Sequence, residues 1–105
     1  MADVGRDEID AARRVMALLG DPLRRTIVER LSLRPQAVNS RFLELIGAAK
    51  GDVYHRLRSL RRAELVRPER HCTYRVEVKV LSALRKYADL LLIAASASGG
   101  RRHDA

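Results

Sequence analysis

The 105-residue sequence predicts a mainly α-helical domain with one small β-hairpin. Three observations predict this fold class. Apolar residues recur every three or four positions through most of the chain, which is the period of an amphipathic helix. Only 4% of residues are aromatic and Trp is absent, so small aliphatic side chains must form the core, which suits a helix-rich fold. Between residues 65 and 78, β-branched residues and alternation replace the helical period.

Two helices are predicted in the first third of the chain. The first runs from Asp7 to Leu19 and is stopped by Gly20. The second begins after Asp21, a residue type that caps helix N-termini, with Pro22 at the first helical position. Residues three or four apart form the apolar stripe of each helix: Ile9, Ala12, Met16 and Leu19 in the first, and Leu23, Ile27 and Leu31 in the second.

A pair of short helices follows a break around Pro35. The third helix begins at residue 38 or 39 and ends at Gly47, and the fourth begins three residues later, at Lys50. A tight turn therefore joins them, as in a helix-turn-helix. The predicted inward positions are Phe42, Leu45 and Ile46 in the third helix and Val53, Leu57 and Leu60 in the fourth.

The helical period ends near Leu65. Two short strands are predicted, at residues 65–66 and 73–78, and a basic loop of residues 67–72 joins them. A closing helix runs from Lys79 to about Ala95, and its apolar positions exceed one narrow stripe, so another surface must cover them. This order is that of a winged helix-turn-helix domain: a three-helix core, a two-stranded wing and a closing dimerisation helix.

Charge indicates a polyanionic partner. The net charge is +8, and 18 of the 21 basic residues are Arg, whose planar guanidinium suits phosphate oxygens and base edges. Eight basic and three acidic residues lie between Lys50 and Arg75, so this quarter of the chain carries more than half of the net charge. Charges that are clustered on one contact surface displace counterions from a nucleic acid, and the release of these counterions increases the binding affinity.

Three segments carry a resemblance to a known family. Residues 18–31 read LLGDPLRRTIVERL, and residues 53–66 read VYHRLRSLRRAELV. They are similar to the patterns "ALGDPLRRxILxxL" and "VSxHLxxLxxAGLV" of the ArsR-type winged helix transcriptional repressors. The third segment that resembles the family is the strand around Tyr74, which leads into a Leu-rich closing helix. Over roughly Ile9 to Ile93 the chain resembles that family, which implies a homodimeric repressor.

The chain also departs from the family. Where the family commonly has Gly in the turn before the wing, this chain has Glu64, so we expect a backbone that avoids positive φ there. One metal-sensing branch of the family has paired cysteines in the helix before the recognition helix, which is the helix that contacts DNA. The corresponding helix of this chain, residues 39–46, has no cysteine. Another has Asp, His and Glu ligands along the closing helix, where residues 79–93 offer only Asp89. We therefore expect neither metal site.

The fourth helix and the hairpin are the predicted DNA-binding elements. The apolar face would anchor the fourth helix, leaving its other faces free to enter a major groove. The hairpin would lie along the backbone or enter the minor groove. The predicted base contacts are Lys50, Gly51, Tyr54, His55 and Arg58, and the predicted backbone contacts are Arg61, Arg62, Arg67, Arg70 and Arg75.

Several of these assignments have a structural alternative. The arginines of the fourth helix and of the hairpin can be solvated surface residues. Gly51 can be a weak point of the helix, and Tyr54 can pack against a neighbouring helix. We expect Asp52 to complement the helix dipole, because a carboxylate repels phosphates.

The closing helix predicts a homodimer, because a chain this small has few internal faces left to cover. The predicted interface is Ile9, Met16, Leu19, Leu84, Ala88, Leu91 and Leu92. Two recognition helices about 34 Å apart then predict a two-fold symmetric operator in double-stranded DNA. The alternative is that residues 90–95 cover the protein's own core. We assign residues 1–97 to this DNA-binding and dimerisation domain and residues 98–105 to a disordered basic tail.

Other functions have weaker support. The single cysteine, Cys72, excludes an internal disulfide framework, and with His71 it is either incidental or half of a metal site shared across a dimer. With no recognisable catalytic motif, we expect no enzyme and no cofactor, and no effector site is visible. The N-terminus lacks a signal sequence, so we expect a cytoplasmic, nucleoid-associated protein without a membrane partner. The rival hypotheses are a protein-interaction module and a structured-RNA binder that use the same basic face.

Overall fold

The computed structural model describes the backbone of residues 5–102 and the side chains of residues 5–98. The prediction of a mainly α-helical chain with a small β element is confirmed within this range. The described residues form five helices and one small antiparallel sheet of strand order β1-β3-β2. The elements are α1 (Arg6–Leu19), α2 (Pro22–Leu33), β1 (Gln36–Ala37), α3 (Ser40–Ile46), α4 (Lys50–Arg62), β2 (Val66–Arg70), β3 (Thr73–Val76) and α5 (Val78–Arg102).

The sheet has one strand more than predicted. β1 pairs with β3 through Gln36 opposite Tyr74 and Ala37 opposite Thr73. Just beyond this pairing, the Val38 N–H donates to the carbonyl of Cys72 at 2.9 Å. A two-residue strand beside Pro35 has no alternation to detect, which is why the sequence pattern indicated a break. The β2–β3 hairpin is therefore hydrogen-bonded to the segment before α3.

One aliphatic core joins the helices to the sheet. Its buried side chains come from α1, α2, α4, the hairpin and the segment before α3, with one aromatic ring from α3. No polar or charged side chain of the described residues is buried. The core is formed by Val15, Ile27, Val28, Leu31, Val38, Phe42, Val53, Leu57, Leu60, Leu65, Val66 and Val76.

Leu45 is the one predicted core residue of α3 that faces water. Its side chain is 56% exposed, whereas Phe42 is buried and Ile46 is half-buried. The inward face of this seven-residue helix runs through Phe42, Leu43 and Ile46, and the centre of that face lies roughly 100° around the helix from Leu45. The prediction for Leu45 was therefore wrong by about a quarter of a helical turn.

The helix ends follow the local signals in the sequence. The Asp21 carboxylate accepts the Arg24 N–H at 2.8 Å, and Pro22 is the first residue of α2. The Asn39 side chain caps α3 by accepting the Phe42 N–H at 3.0 Å, and Gly47 ends that helix at φ 74°. Each contact satisfies a backbone group that the helix itself leaves without a partner.

The end of α4 contradicts the expectation for Glu64. This residue has φ 63°, in the left-handed region. The Leu65 N–H donates to the Leu60 carbonyl at 3.0 Å, and the Glu64 N–H donates to the Arg61 carbonyl at 2.9 Å. These two bonds form a Schellman motif, at which Leu60 and Leu65 are both buried, and the motif needs a left-handed residue at this position whatever its side chain.

Replacing Glu64 with Gly should therefore stabilise the fold. Relief of the left-handed conformation exceeds the entropy that Gly adds to the unfolded chain, so we expect a net gain of roughly 0.5 to 1 kcal/mol. The midpoint of urea unfolding measures this gain. The Glu64→Ala variant is the matched control, because Ala removes the same side chain but keeps the Cβ that causes the strain. An equal gain from Ala would assign the effect to the lost carboxylate instead.

The closing helix is longer than predicted. α5 has 25 residues and continues through positions 98–102, which the sequence assigned to a disordered tail. The Ala and Ser residues that precede these positions tolerate a helix, and no Pro stops it. Positions 103–105 of the predicted tail lie outside the described residues. No helix within residues 5–102 is long and apolar enough to cross a membrane.

The two long helices α1 and α5 pack against each other. Lys86 of α5 binds Glu8 near the start of α1 at 3.0 Å, whereas Val80 and Ala83 lie beside Leu18 at its end, so the helices are antiparallel. All residues from Leu91 to Ser98 are exposed. The last part of α5 thus extends beyond α1 without covering any core of its own chain.

Candidate nucleic-acid interface

Helix α4 has one face in the core and the opposite face in solvent. Val53, Leu57 and Leu60 are at most 2% exposed, and they hold the helix against the rest of the domain. The opposite face follows the same three- and four-residue spacing and is exposed at every position. We call this face the α4 ridge, and it consists of Gly51, His55, Arg58 and Arg62.

The α4 ridge is cationic and has no acidic member. The one acidic residue of the helix, Asp52, lies on a flank, where its carboxylate is 3.9 Å from the Arg56 guanidinium. Asp52 is in the first helical turn, where an acid complements the helix dipole, as predicted from the sequence. The ridge can therefore approach a polyanion without a carboxylate in the contact.

Arg56 connects α4 to the start of α2. Its Nε donates to the Asp21 carboxylate at 3.3 Å, and the same carboxylate caps α2 by accepting the Arg24 N–H. The pKa of Asp21 is lowered, first by the hydrogen bond from the Arg24 backbone and then by the one from Arg56. The sequence interpretation gave Arg56 no role, although its position four residues after Asp52 was a signal of ion pairing.

Low pH should weaken the interactions of the Asp21 carboxylate with the Arg24 N–H and the Arg56 guanidinium. Because the pKa of Asp21 is lower in the folded state, its contribution to stability is present above the unfolded pKa of about 4 and is lost as pH falls through the lower folded value. We expect Asp21→Asn, which can still cap the helix but does not titrate, to lose less stability between about pH 5 and pH 2. Urea midpoints measured at both ends of this range test the prediction. Equal losses in the two proteins would remove Asp21 as a source of acid sensitivity.

The other flank of α4 faces the hairpin. The half-buried Tyr54 hydroxyl donates to the Val38 carbonyl at 3.1 Å, and burial raises the pKa of Tyr54. The Arg61 guanidinium lies 5.9 Å from the centre of the Tyr74 ring, within the range of a cation–π contact. These contacts support the alternative for Tyr54, which is packing, and its assignment as a base contact stays a prediction.

The hairpin is less positive than its three arginines suggested. Arg67 binds the Glu77 carboxylate at 2.9 Å, and Arg75 lies 3.9 Å from the carboxylates of both Glu69 and Glu77. Arg67 holds the pKa of Glu77 below its usual value. Among the described side chains, Arg70 is the hairpin arginine with no carboxylate within 4.0 Å. The ion pair between Glu77 and Arg67 was not predicted, because the two residues are ten positions apart in sequence and meet only when the hairpin forms.

The hairpin loop consists of His71 and Cys72. His71 has φ 50°, and Cys72 is exposed and has a free thiol. Within residues 5–102, no group of three His, Cys, Asp or Glu side chains could hold a metal ion. Lys50, at the start of α4, is exposed as expected.

The predicted dimer residues divide into two groups. Ile9, Leu19 and Leu84 are half-buried, and Leu19 and Leu84 pack against the core. Met16, Ala88, Leu91 and Leu92 are exposed, and the last two are 51% and 64% exposed. The neighbouring Ile93 is 61% exposed. Within one chain residues 91–93 of α5 therefore present unburied apolar side chains, and residues 91–95 do not cover the protein's own core.

Comparison of the sequence with protein-family models and with curated proteins gave no match.

Proposed function

We propose that this chain is a sequence-specific double-stranded DNA-binding protein of the winged helix type, acting as a homodimeric transcriptional repressor that occludes a promoter. The observation that carries the proposal is the α4 ridge: a helix fixed by a buried apolar face presents two arginines, a histidine and a glycine on its opposite face. The resemblance to ArsR-type repressors supports the same conclusion. In this proposal β2 and β3 form the wing.

The dimensions of α4 suit a major groove. An α-helix with its side chains is about 10 to 12 Å wide, and the groove is about 12 Å wide. His55 and Arg58 lie in the middle of the ridge, where they meet base edges, and Arg62 lies at its end, where it meets a phosphate. Gly51, near the N-terminal end, lets the backbone approach the sugar–phosphate chain. Base contacts then supply specificity and phosphate contacts supply affinity.

The remaining cations assist this contact unequally. Arg70 is the hairpin arginine that we assign to the DNA backbone, because Arg67 and Arg75 already contact carboxylates. Arg61 stacks near Tyr74 at the junction of α4 and the hairpin, where its charge still adds to the local field. Lys50 adds a further charge at the start of α4.

The exposed end of α5 supports the homodimer. Leu91, Leu92 and Ile93 are more than half exposed on consecutive positions of one helix, and a two-fold copy of the same helix would bury part of this apolar surface. A two-fold dimer would place two α4 ridges about 34 Å apart on the same side of a duplex. We therefore propose an operator with two-fold symmetry.

Salt dependence of DNA binding tests the function. A dimer that makes about eight phosphate contacts should lose affinity with a log-log slope near −7 as salt rises. Fluorescence anisotropy with duplexes selected from a random pool, and light scattering of the free protein, measure the slope and the mass. An affinity that does not change with salt would contradict the proposal and favour a protein-interaction module instead. Preference for A-form duplex in competition would replace it with structured RNA.

A further inference from the structure

A groove of about 540 Å³ lies between α1, the end of α4 and the start of α5, away from the centre of the α4 ridge. This volume is within the range of small-molecule sites in proteins, which is roughly 300 to 1,000 Å³. The groove has an apolar floor and a charged rim. The floor is lined by Ala11, Val15, Leu18, Val80 and Ala83, and the rim by Arg14, Arg62, Lys79 and Glu64.

The rim favours an anion. Arg14, Arg62 and Lys79 come from three different helices, and within the described residues none of them has a carboxylate within 4.0 Å. The single acid, Glu64, disfavours a ligand with several negative charges. Three cations without ion-pair partners and one acid suit one carboxylate group, which two or more of the cations can bind together.

The floor favours an aliphatic or aromatic body on the same ligand. Val15 is 3% exposed and Leu18 and Val80 are half-buried, so they form a fixed surface at the base of the groove. A bare phosphate or a stretch of DNA backbone gains nothing from such a surface, whereas an apolar chain is stabilised by leaving water. The chemistry of floor and rim together therefore selects an amphiphile with one negative charge.

We propose that this groove binds a small carboxylate-bearing amphiphile, with the carboxylate on Arg14, Arg62 and Lys79 and the apolar chain along the floor. The site has a regulatory consequence that rests on the proposed function. Arg62 is also the last residue of the α4 ridge, so a guanidinium that binds the ligand carboxylate is withdrawn from a DNA phosphate. The ligand and DNA then oppose each other, and each weakens the binding of the other.

Decanoate is the probe for the groove, titrated below its micellar concentration into isotopically labelled full-length protein without DNA. We expect saturable shifts of backbone amides in α1, at the end of α4 and at the start of α5. The double variant Arg14→Gln, Lys79→Gln should weaken decanoate binding by about tenfold or more, because two charged contacts are lost. The matched control is Arg13→Gln, Arg85→Gln, which removes two exposed charges from the same helices outside the groove and should leave binding unchanged.

A cationic amphiphile of equal chain length, decyltrimethylammonium, separates charge recognition from general adhesion to apolar surface. Equal binding of the two amphiphiles, or equal affinity of the Arg14→Gln, Lys79→Gln variant, would overturn the proposal. Shifts centred on residues 91–93 of α5 would also overturn it, because they would place the ligand on the exposed apolar surface.

The link to DNA is tested separately by adding saturating decanoate to the protein–DNA complex. We expect weaker DNA binding by the native protein and a much smaller effect in the Arg14→Gln, Lys79→Gln variant. Groove binding with unchanged DNA affinity would overturn the regulatory link. If the protein binds decanoate in the groove and no duplex at all, the groove is supported and the proposed function fails.

Discussion

Replacing Arg58 with Ala is expected to weaken binding to the preferred duplex by about 1 to 3 kcal/mol and to relax discrimination at one base pair. Arg58 is exposed in the middle of the α4 ridge, one helical turn from His55. A guanidinium in the middle of the ridge can donate two hydrogen bonds to a guanine in the major groove, which neither Gly51 nor His55 can do. The loss should therefore depend strongly on sequence.

Arg62→Ala is the matched comparison on the same ridge. Arg62 is exposed at the C-terminal end of α4, where we assign it to a phosphate. Its removal should weaken all duplexes alike and reduce the magnitude of the salt slope by about 1 per chain. Titration of each variant with a selected duplex and a scrambled duplex separates the two effects. An equal loss of affinity for the selected and the scrambled duplex in Arg58→Ala would show that Arg58 does not read a base.

Replacing Leu60 with Ala is expected to destabilise the fold by about 2 to 5 kcal/mol. Leu60 is 0% exposed, and it anchors α4 to the core. Its carbonyl and side chain also take part in the Schellman motif that ends the helix, so a cavity here loosens both α4 and the start of β2. A loss of this size is a large part of the total stability of a small domain. Urea unfolding followed by circular dichroism measures it.

Leu45→Ala is the control for this experiment. It removes the same side chain from a helix, but Leu45 is 56% exposed, so we expect a change within about 0.5 kcal/mol. A large loss in this variant would mean that Leu45 is covered in solution, for example by a second molecule. A small loss in Leu60→Ala would contradict the placement of α4 against the core.

Features that depend on neighbouring residues in sequence were predicted well. The Asp21–Pro22 start of α2, the Gly47 end of α3 and the buried face of α4 were all confirmed, because capping and helical periodicity act within one or two turns. The coarse fold class followed from these elements. Their order is compatible with a winged helix, and that finer assignment remains our proposal.

Features that depend on distant contacts were missed. β1 exists because Gln36 and Ala37 pair with a strand almost forty positions later, and nothing in the local pattern records that pairing. Tyr54 was assigned to DNA because it lies on the fourth helix, yet its hydroxyl reaches the Val38 carbonyl. One local feature was also missed, because Glu64 was expected to avoid a positive φ on account of its side chain, but the end of α4 required one.

The candidate site was predicted in outline and corrected in detail. Helical periodicity alone places Gly51, His55, Arg58 and Arg62 opposite the buried face, so the α4 ridge could be predicted from the sequence. The charge balance of the hairpin was not, because it depends on Glu77 lying close enough to bind Arg67. Charge counted along a sequence does not show which cations already have an acidic partner in the fold.

The Schellman motif at Glu64 leaves no hinge between the helix and the hairpin. Glu64 and Leu65 alone separate the C-cap of α4 from β2, and both donate hydrogen bonds back into the last turn of the helix. The distance between Arg58 and Arg70 is thus set by the protein, and small differences in groove width and twist must be absorbed by the duplex. Flexible pyrimidine–purine steps beside the contacted base pairs would lower that deformation energy, so bound sequences should be enriched in TA and CA steps that no side chain touches.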